Sequence, residues 1–308
     1  MDVGRYAPSP TGDLHLGNAR TALIAWLWAR HAGGRFLLRF EDLDAARVQP
    51  GCAQRQADSL AWLGLDWDGE PVSQSDRTEH YEAAIAALRE RGALYECFCS
   101  RADVRRAASA PHGPDGPLYS GVCRDLTADE RAQRLAHGRA PALRVRMEGE
   151  VAFCDDVMGA QRETLERASG DIVVRRSDGV IAYQLAVVVD DAAQGVTHVV
   201  RGADLLASTA RQRQLYDLLG LAPVPRHAHV PLLLGDDGQR LAKRHGAVGL
   251  IELRERGADP LVLVGWLAHT AGLLERARPC TPAELVEGFR PADLAQGATR
   301  IHPDSVRW

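Results

Sequence analysis

The chain has 308 residues, 45% of them apolar and 25% charged, with a net charge of −4. This is the make-up of a globular protein with room for two or three cores, and it excludes a disordered or globally basic chain. No run reaches the ~18 apolar residues of a membrane helix, and no early segment reads as a secretory signal.

In chain order, "DVGRYAPS" predicts a short strand running into a turn. After Asn18 the apolar positions Leu23, Trp26 and Leu27 recur at helical spacing, predicting a helix that stops at Gly33-Gly34. "RFLLRFEDLD" predicts a buried strand whose end carries Glu41, Asp42 and Asp44. Strand, helix and strand in so short a stretch predict a parallel α/β unit. Helices follow around 53–63 and 81–91. The pattern breaks at "YECFCSRADV", and 109–121 is too rich in Pro and Gly for regular structure. "LTADERAQRLAHG" predicts a capped helix, with Thr127 three residues before Glu130. From 171 the α/β character returns, with "SDG" at 177–179 predicting a hairpin turn between two β-rich runs. "HAHVPLLLGDDGQRLAKRHG" predicts a strand, a turn and a basic loop, and the rest is expected to be mostly helical. The expected architecture is a Rossmann-like parallel α/β domain in two halves, 1–96 and 171–246. Residues 97–170 form an inserted subdomain and 247–308 a helical segment.

Several residue patterns carry chemistry. The first N–H groups of a helix are unpaired and partly positive, so the turn before the first helix is either a plain strand-to-helix corner or a phosphate site. There Gly17 lets a flat ring approach the backbone, and His15 and Asn18 offer donors. Neither a P-loop nor a G-x-G-x-x-G opening is present, which argues against a P-loop NTPase and a standard dinucleotide fold. The glycine-bounded basic loop with Arg240, Lys243 and Arg244 is of a kind that closes over polyphosphates. Cys97, Cys99 and Cys123 are clustered, a spacing that suits either zinc or buried free thiols, whereas Cys52, Cys154 and Cys280 read as ordinary residues. His227 and His229 point the same way in an extended segment, and packing or a nucleotide contact is favoured over metal. Nucleic acid would have to meet a local basic face, with Arg101, Arg105 and Arg106 or Arg211 and Arg213 as candidates.

"APSPTGDLHLGNARTAL" followed by "RFEDLD" resembles the start of the class I glutamyl-tRNA synthetase family. Its HIGH element corresponds to His15-Leu16-Gly17-Asn18, and its KMSKS loop to Arg240-Leu241-Ala242-Lys243-Arg244. "AYQLAVVVDDAAQGVTHVVRGADLLASTARQRQLY" is similar to the second catalytic half, and the likeness covers roughly residues 3 to 270. Only residues 245–308 follow the basic loop, too few for the family's anticodon-binding region. "RGADLL" is similar to a truncated branch that attaches glutamate to queuosine in the anticodon loop of tRNA(Asp).

The resemblance implies an ATP-dependent ligase that makes glutamyl-adenylate, with Mg²⁺ assisting. It implies His15, Asn18 and Lys243 as catalytic residues, with Gly17 and Arg240 joining them around ATP. Glutamate would be held by Arg5, Ala7, Ser9, Glu41, Tyr183 and Arg201: Glu41 for the ammonium and each arginine for a carboxylate. Structural Zn²⁺ would be held by Cys97, Cys99, Tyr119 and Cys123, with His112 as substitute ligand should Tyr119 fail. The basic loop departs from the family pattern at Arg240 and Ala242, so one hydroxyl donor is lost while the ammonium of Lys243 is kept. A cytoplasmic monomer is expected. The competing readings are a minimal synthetase charging a tRNA 3′ end, a silent zinc-containing tRNA-binding module, and a small-molecule nucleotidyltransferase.

Overall fold

The computed structural model describes residues 1–107, 118–235, 237–238 and 249–301. β1 (Val3–Tyr6) leads through a proline-bearing turn into α1 (Leu16–His31), then β2 (Arg35–Phe40), α2 (Cys52–Trp62), β3 (Val72–Ser73) and α3 (Thr78–Glu90). β1 pairs parallel with β2, and β2 with β3. The helix starts at Leu16 rather than after Asn18, because the imidazole of His15 caps it. Ala19, Ala22, Leu23 and Leu27 are fully enclosed, so α1 is a core helix rather than an amphipathic one.

β4 (Leu94–Cys97), α4 (Arg101–Ala107), α5 (Ala128–Ala136) and β5 (Ala142–Val145) follow, then β6 (Glu150–Asp155), β7 (Gly159–Thr164), α6 (Leu165–Ala168) and β8 (Ile172–Arg175). β4, β5 and β8 make a small antiparallel sheet. Its far end has a separate core of Tyr95, Cys97, Phe98, Val104, Tyr119 and Cys123. β6 and β7 form an antiparallel ribbon that leaves this sheet and meets the main one.

The chain then forms α7 (Tyr183–Ala193), β9 (His198–Gly202), α8 (Ser208–Leu219), β10 (Arg226–Val230) and β11 (Leu233–Leu234). It ends in α9 (Leu250–Glu255), α10 (Pro260–Thr270), α11 (Pro282–Val286) and β12 (Thr299–Arg300). The second β-rich run expected after "SDG" is the helix α7, and the hairpin shrinks to one bridge between Arg175 and Ile181. Leu185 through Val189 are buried on every side, so no periodicity separates this helix from a buried strand, and packing overrides the β-branched composition.

β9 pairs parallel with β10, and β10 with β6. Thr197 N donates to Val3 O at 2.9 Å, which sets β9 beside β1. Across the molecule the order is therefore β3-β2-β1-β9-β10-β6-β7. The chain leaves β1 to one side and returns on the other, which opens a crevice at the carboxyl ends of the central strands. No helix among the described residues is long and apolar enough to cross a membrane.

Candidate active site

The carboxyl ends of β1, β2, β9 and β10 open onto a cavity of about 650 Å³. The loop after β1 and the end of β2 line it with Arg5, Ala7, Ser9 and Glu41. The start of α1 contributes His15, Gly17 and Asn18, and the second half contributes Tyr183 and Arg201. These residues, far apart in sequence, share one space. Arg240, Lys243 and Arg244, like His112, lie outside the described residues.

At the mouth of α1, Gly17 N and Asn18 N donate to His15 Nδ1 at 3.1 and 3.4 Å, and His15 N donates to Asn18 Oδ1 at 3.2 Å. A ring that accepts at Nδ1 carries its proton on Nε2, so the cap also fixes the tautomer. A Cβ on Gly17 would lie 3.1 Å from His15 Cε1 and 3.2 Å from Nδ1, so the glycine is what lets the imidazole sit there. Gly17→Ala is expected to displace the ring. The lost cap should cost about 1 kcal/mol of stability, and the misplaced donor at least tenfold in kcat, on the order of the penalty for a shift of ~1 Å. Thermal melts and steady-state kinetics check both.

The floor of the cavity is a buried charge network that the sequence reading did not contain. Arg39, fully buried in β2, bonds Asp191 Oδ1 at 2.8 Å and Gln194 Oε1 at 2.6 Å, and lies 3.7 Å from Glu41 Oε1. Arg5 Nε donates to the same Asp191 oxygen at 3.3 Å. Asp190 is saturated by Gln74, Arg77 and Tyr81. Burial opposes ionisation of Asp191, but Arg5 and Arg39 outweigh it and hold its carboxyl below the usual range. Glu41 goes the other way: burial pushes its carboxyl up to about 7, against the pull of Arg39 and Arg5. The other acids of "RFEDLD" face away, Asp42 accepting from Ser75 and Asp44 from Arg176.

Arg201 is buried and is anchored by neutral groups. Nε donates to His229 Nε2 at 2.9 Å, Nη2 to Thr209 Oγ1 at 2.8 Å, and Nη1 to Gln212 Oε1 at 2.8 Å and Tyr183 OH at 3.5 Å. Burial lowers its pKa, and no carboxylate among the described residues is paired with it. Burial also raises the Tyr183 phenol. His229 thus packs into the site's support rather than touching a nucleotide, and the ring of His227 is stacked 6.1 Å from it. Arg211 is buried, with Nε donating to Ala207 O, and Arg213 lies over the Phe153 ring, so this pair makes no open basic face.

In the small core of the insertion, Cys97, Cys99 and Cys123 bring their sulfurs within 4.8 Å of one another, a grouping able to hold a metal. Cys99 and Cys123 Sγ are 3.6 Å apart, close to the ~3.8 Å edge of a tetrahedron with ~2.3 Å Zn–S bonds. Tyr119 OH lies 3.4 Å from Cys97 Sγ and 4.0 Å from Cys99 Sγ, and accepts from Cys123 N at 2.9 Å. Arg144 covers the Tyr119 ring at 3.9 Å, and Arg134 donates to Cys123 Sγ. Three thiols and a phenol, backed by two cations, suit a closed four-coordinate thiophilic ion.

Residues 3–284 match the family model of class I tRNA synthetases (E and Q), catalytic domain. The chain belongs to that family. It is an ATP-using ligase of the class I synthetase type. It is 52% identical to the Glutamyl-Q tRNA(Asp) synthetase of Symbiobacterium thermophilum, over 99% of this chain and 98% of the relative. It is 56% identical to the protein of that name from Nocardia farcinica, over 95% and 90%. The crystal structure of glutamate-tRNA synthetase from Elizabethkingia anophelis shares its fold at a TM-score of 0.84 and 24% identity, over 99% of this chain and 68% of that one. In this synthetase the cavity lies at the switch-point crevice, the place where Rossmann-like sheets bind their ligands.

Proposed function

We propose that the chain activates L-glutamate with ATP to glutamyl-adenylate and pyrophosphate, and then transfers glutamate to queuosine in the anticodon loop of tRNA(Asp). The observation that carries the glutamate reading is Arg201, a buried guanidinium at the cavity wall whose hydrogen-bond partners among the described residues are all neutral. A buried cation with no carboxylate bonded to it is costly until an anion arrives, and a carboxylate matches its fork. Arg5 offers the second fork, and Glu41 takes the ammonium. The relatives named for glutamyl-Q tRNA(Asp) support the queuosine step.

In the first step an α-carboxylate oxygen attacks the α-phosphorus of ATP, and the bond to pyrophosphate breaks. Nε2–H of His15, set at the positive end of α1, neutralises charge on the phosphates, and Asn18 holds the histidine in place. ATP enters as its Mg²⁺ complex, and the family likeness assigns Lys243 and Arg240 to neutralise its charge. In the second step a hydroxyl of the queuosine ring attacks the glutamyl carbonyl, AMP leaves, and the hydroxyl proton passes to solvent. Cys97, Cys99, Tyr119 and Cys123 hold a structural Zn²⁺. The division at 96/97, 170/171 and 246/247, the monomeric state and a cytoplasmic location complete the proposal.

The test is acid-precipitable transfer of labelled glutamate to matched tRNA(Asp) with and without queuosine. Labelling of the modified tRNA alone is expected. Equal labelling of both, or labelling of tRNA(Glu), would replace this reading with a minimal 3′-end synthetase. No labelling and no glutamate-dependent pyrophosphate exchange would leave a silent tRNA-binding module.

The pKa of Glu41 predicts a pH profile. Below about 7 the free enzyme holds Glu41 protonated, unable to pair with an ammonium. Accordingly, kcat/KM for glutamate should rise as pH increases through about 7 and then level off. Glu41→Gln should remove that inflection and raise the glutamate KM by about 10- to 100-fold, the range for a lost charge-assisted bond.

A further inference from the structure

Two residues behind the cavity wall decide how Arg201 meets its ligand, an inference that rests on the glutamate reading above. Asp155 Oδ2 lies 2.6 Å from His229 Nδ1. Asp155 Oδ1 accepts from the backbone N–H groups of His229, Val157 and Met158 at 3.1, 3.1 and 2.8 Å. A carboxylate fixed in this way only accepts, so the nitrogen facing it must carry the ring proton. On the far side of the same ring, Arg201 Nε donates to Nε2 at 2.9 Å, and a guanidinium N–H only donates, so this nitrogen must be bare. One tautomer satisfies both neighbours. Both His229 and Asp155 are fully buried, so no water stands in for either partner.

We propose that Asp155 and His229 are positioning residues, which set the plane of the Arg201 guanidinium for a substrate carboxylate by locking His229 in its Nδ1–H form. Arg201 and His229 are direct neighbours across β9 and β10, and Asp155 stands opposite His227 at the end of β6. The carboxylate is therefore delivered by the β6–β7 ribbon, which belongs to the stretch between the two catalytic halves. The amino-acid pocket is complete only when that ribbon is seated. Thr209 and Gln212 hold the two outer nitrogens, and the bond from Nε to His229 is the third anchor of the guanidinium plane.

Three amide substitutions separate this role from simple packing. In His229→Gln the amide oxygen reaches the place of Nε2 and still accepts from Arg201. In His229→Asn the amide reaches only the place of Nδ1, so Asp155 keeps a donor while Arg201 Nε loses its acceptor. Asp155→Asn turns a donor toward Nδ1, which drives the ring proton to Nε2 and sets two N–H groups face to face. Glutamate-dependent pyrophosphate exchange is the kinetic readout. The glutamate KM should rise roughly tenfold or more in His229→Asn and Asp155→Asn, while staying within about threefold of wild type in His229→Gln. The KM for ATP should hold in all three. Nitrogen-15 spectra of the histidine rings give a second readout that needs no turnover: Nδ1–H in the wild type, switched to Nε2–H in Asp155→Asn. Equal KM effects in the Gln and Asn variants, or an Nε2–H ring in the wild type, would overturn the inference while leaving the glutamate reading intact. A wild-type enzyme with no glutamate-dependent exchange would overturn the function and this inference with it.

Discussion

Replacing Arg201 with methionine should raise the glutamate KM on the order of 10³-fold, the scale of breaking a buried charge pair. Methionine keeps the length and apolar stem of the side chain but offers no donor. Three effects add. The substrate carboxylate loses its fork, and in a buried site it has no water to turn to. His229 Nε2, Thr209 Oγ1 and Gln212 Oε1, which accept from Arg201 in the intact site, lose their donor. Positive charge is also removed from a wall that keeps Glu41, with Asp191 buried behind it against Arg5. Lysine should rescue little, because one ammonium cannot reproduce bonds from Nε, Nη1 and Nη2 at once. Pyrophosphate exchange at varied glutamate, with the ATP KM as control, reads the effect. A KM within about threefold of wild type in Arg201→Met would remove Arg201 from the substrate site.

Loss of the metal ligands should produce the largest change in stability. The insertion's distal core consists of Tyr95, Cys97, Phe98, Val104, Tyr119 and Cys123, and three of those six are prospective zinc ligands. A cluster this small does not hold itself together by apolar burial, and cores of this size are stabilised by a metal or by disulfides. All six cysteines are free thiols. Structural zinc contributes about 10–16 kcal/mol of apparent binding energy in small zinc-dependent peptides, where binding and folding are one process. Here the sheet of β4, β5 and β8 also rests on a larger core that includes Tyr81, Leu143, Val174 and Leu185, so the loss should stay local. The expected result for Cys99→Ser or Cys123→Ser is one zinc per chain in the parent and little in the variant. Hydrogen exchange should quicken in β4, α5 and β5 while β1, α1 and β9 stay protected. A parent chain purified without zinc that shows the same protection after chelation would overturn the metal assignment.

Asp155 and His229 are less visible in the sequence than Arg201. Arg201 stands in the "RGADLL" segment and could be named beside its family motif. Asp155 lies 74 residues from its histidine partner, in a ribbon that nothing in the sequence ties to the pocket. The same holds for Arg39, which reads as an unwelcome charge in an apolar strand until Asp191, more than 150 residues on, is seen beside it. Pairings at such separations have no local signature, because they arise from which strands become neighbours.

What the sequence determined by itself was therefore local. The spacing of apolar residues predicted α1 and β2, and the broken α/β pattern near "YECFCSRADV" marked where the sheet is interrupted. The cysteine spacing named the group whose sulfurs converge. Each of these depends on contacts within a helical turn, along one strand or between neighbouring residues. Where periodicity vanished it misled: α7 is enclosed on all sides and looked like a strand. Tertiary structure alone decided three things: the strand order that puts β9 beside β1, the common cavity, and the partners of its buried charges. The physical reason is that an ionised group inside a protein is tolerated only with its partners in place. Those partners come from whichever segments the fold brings together, not from those nearby in the chain.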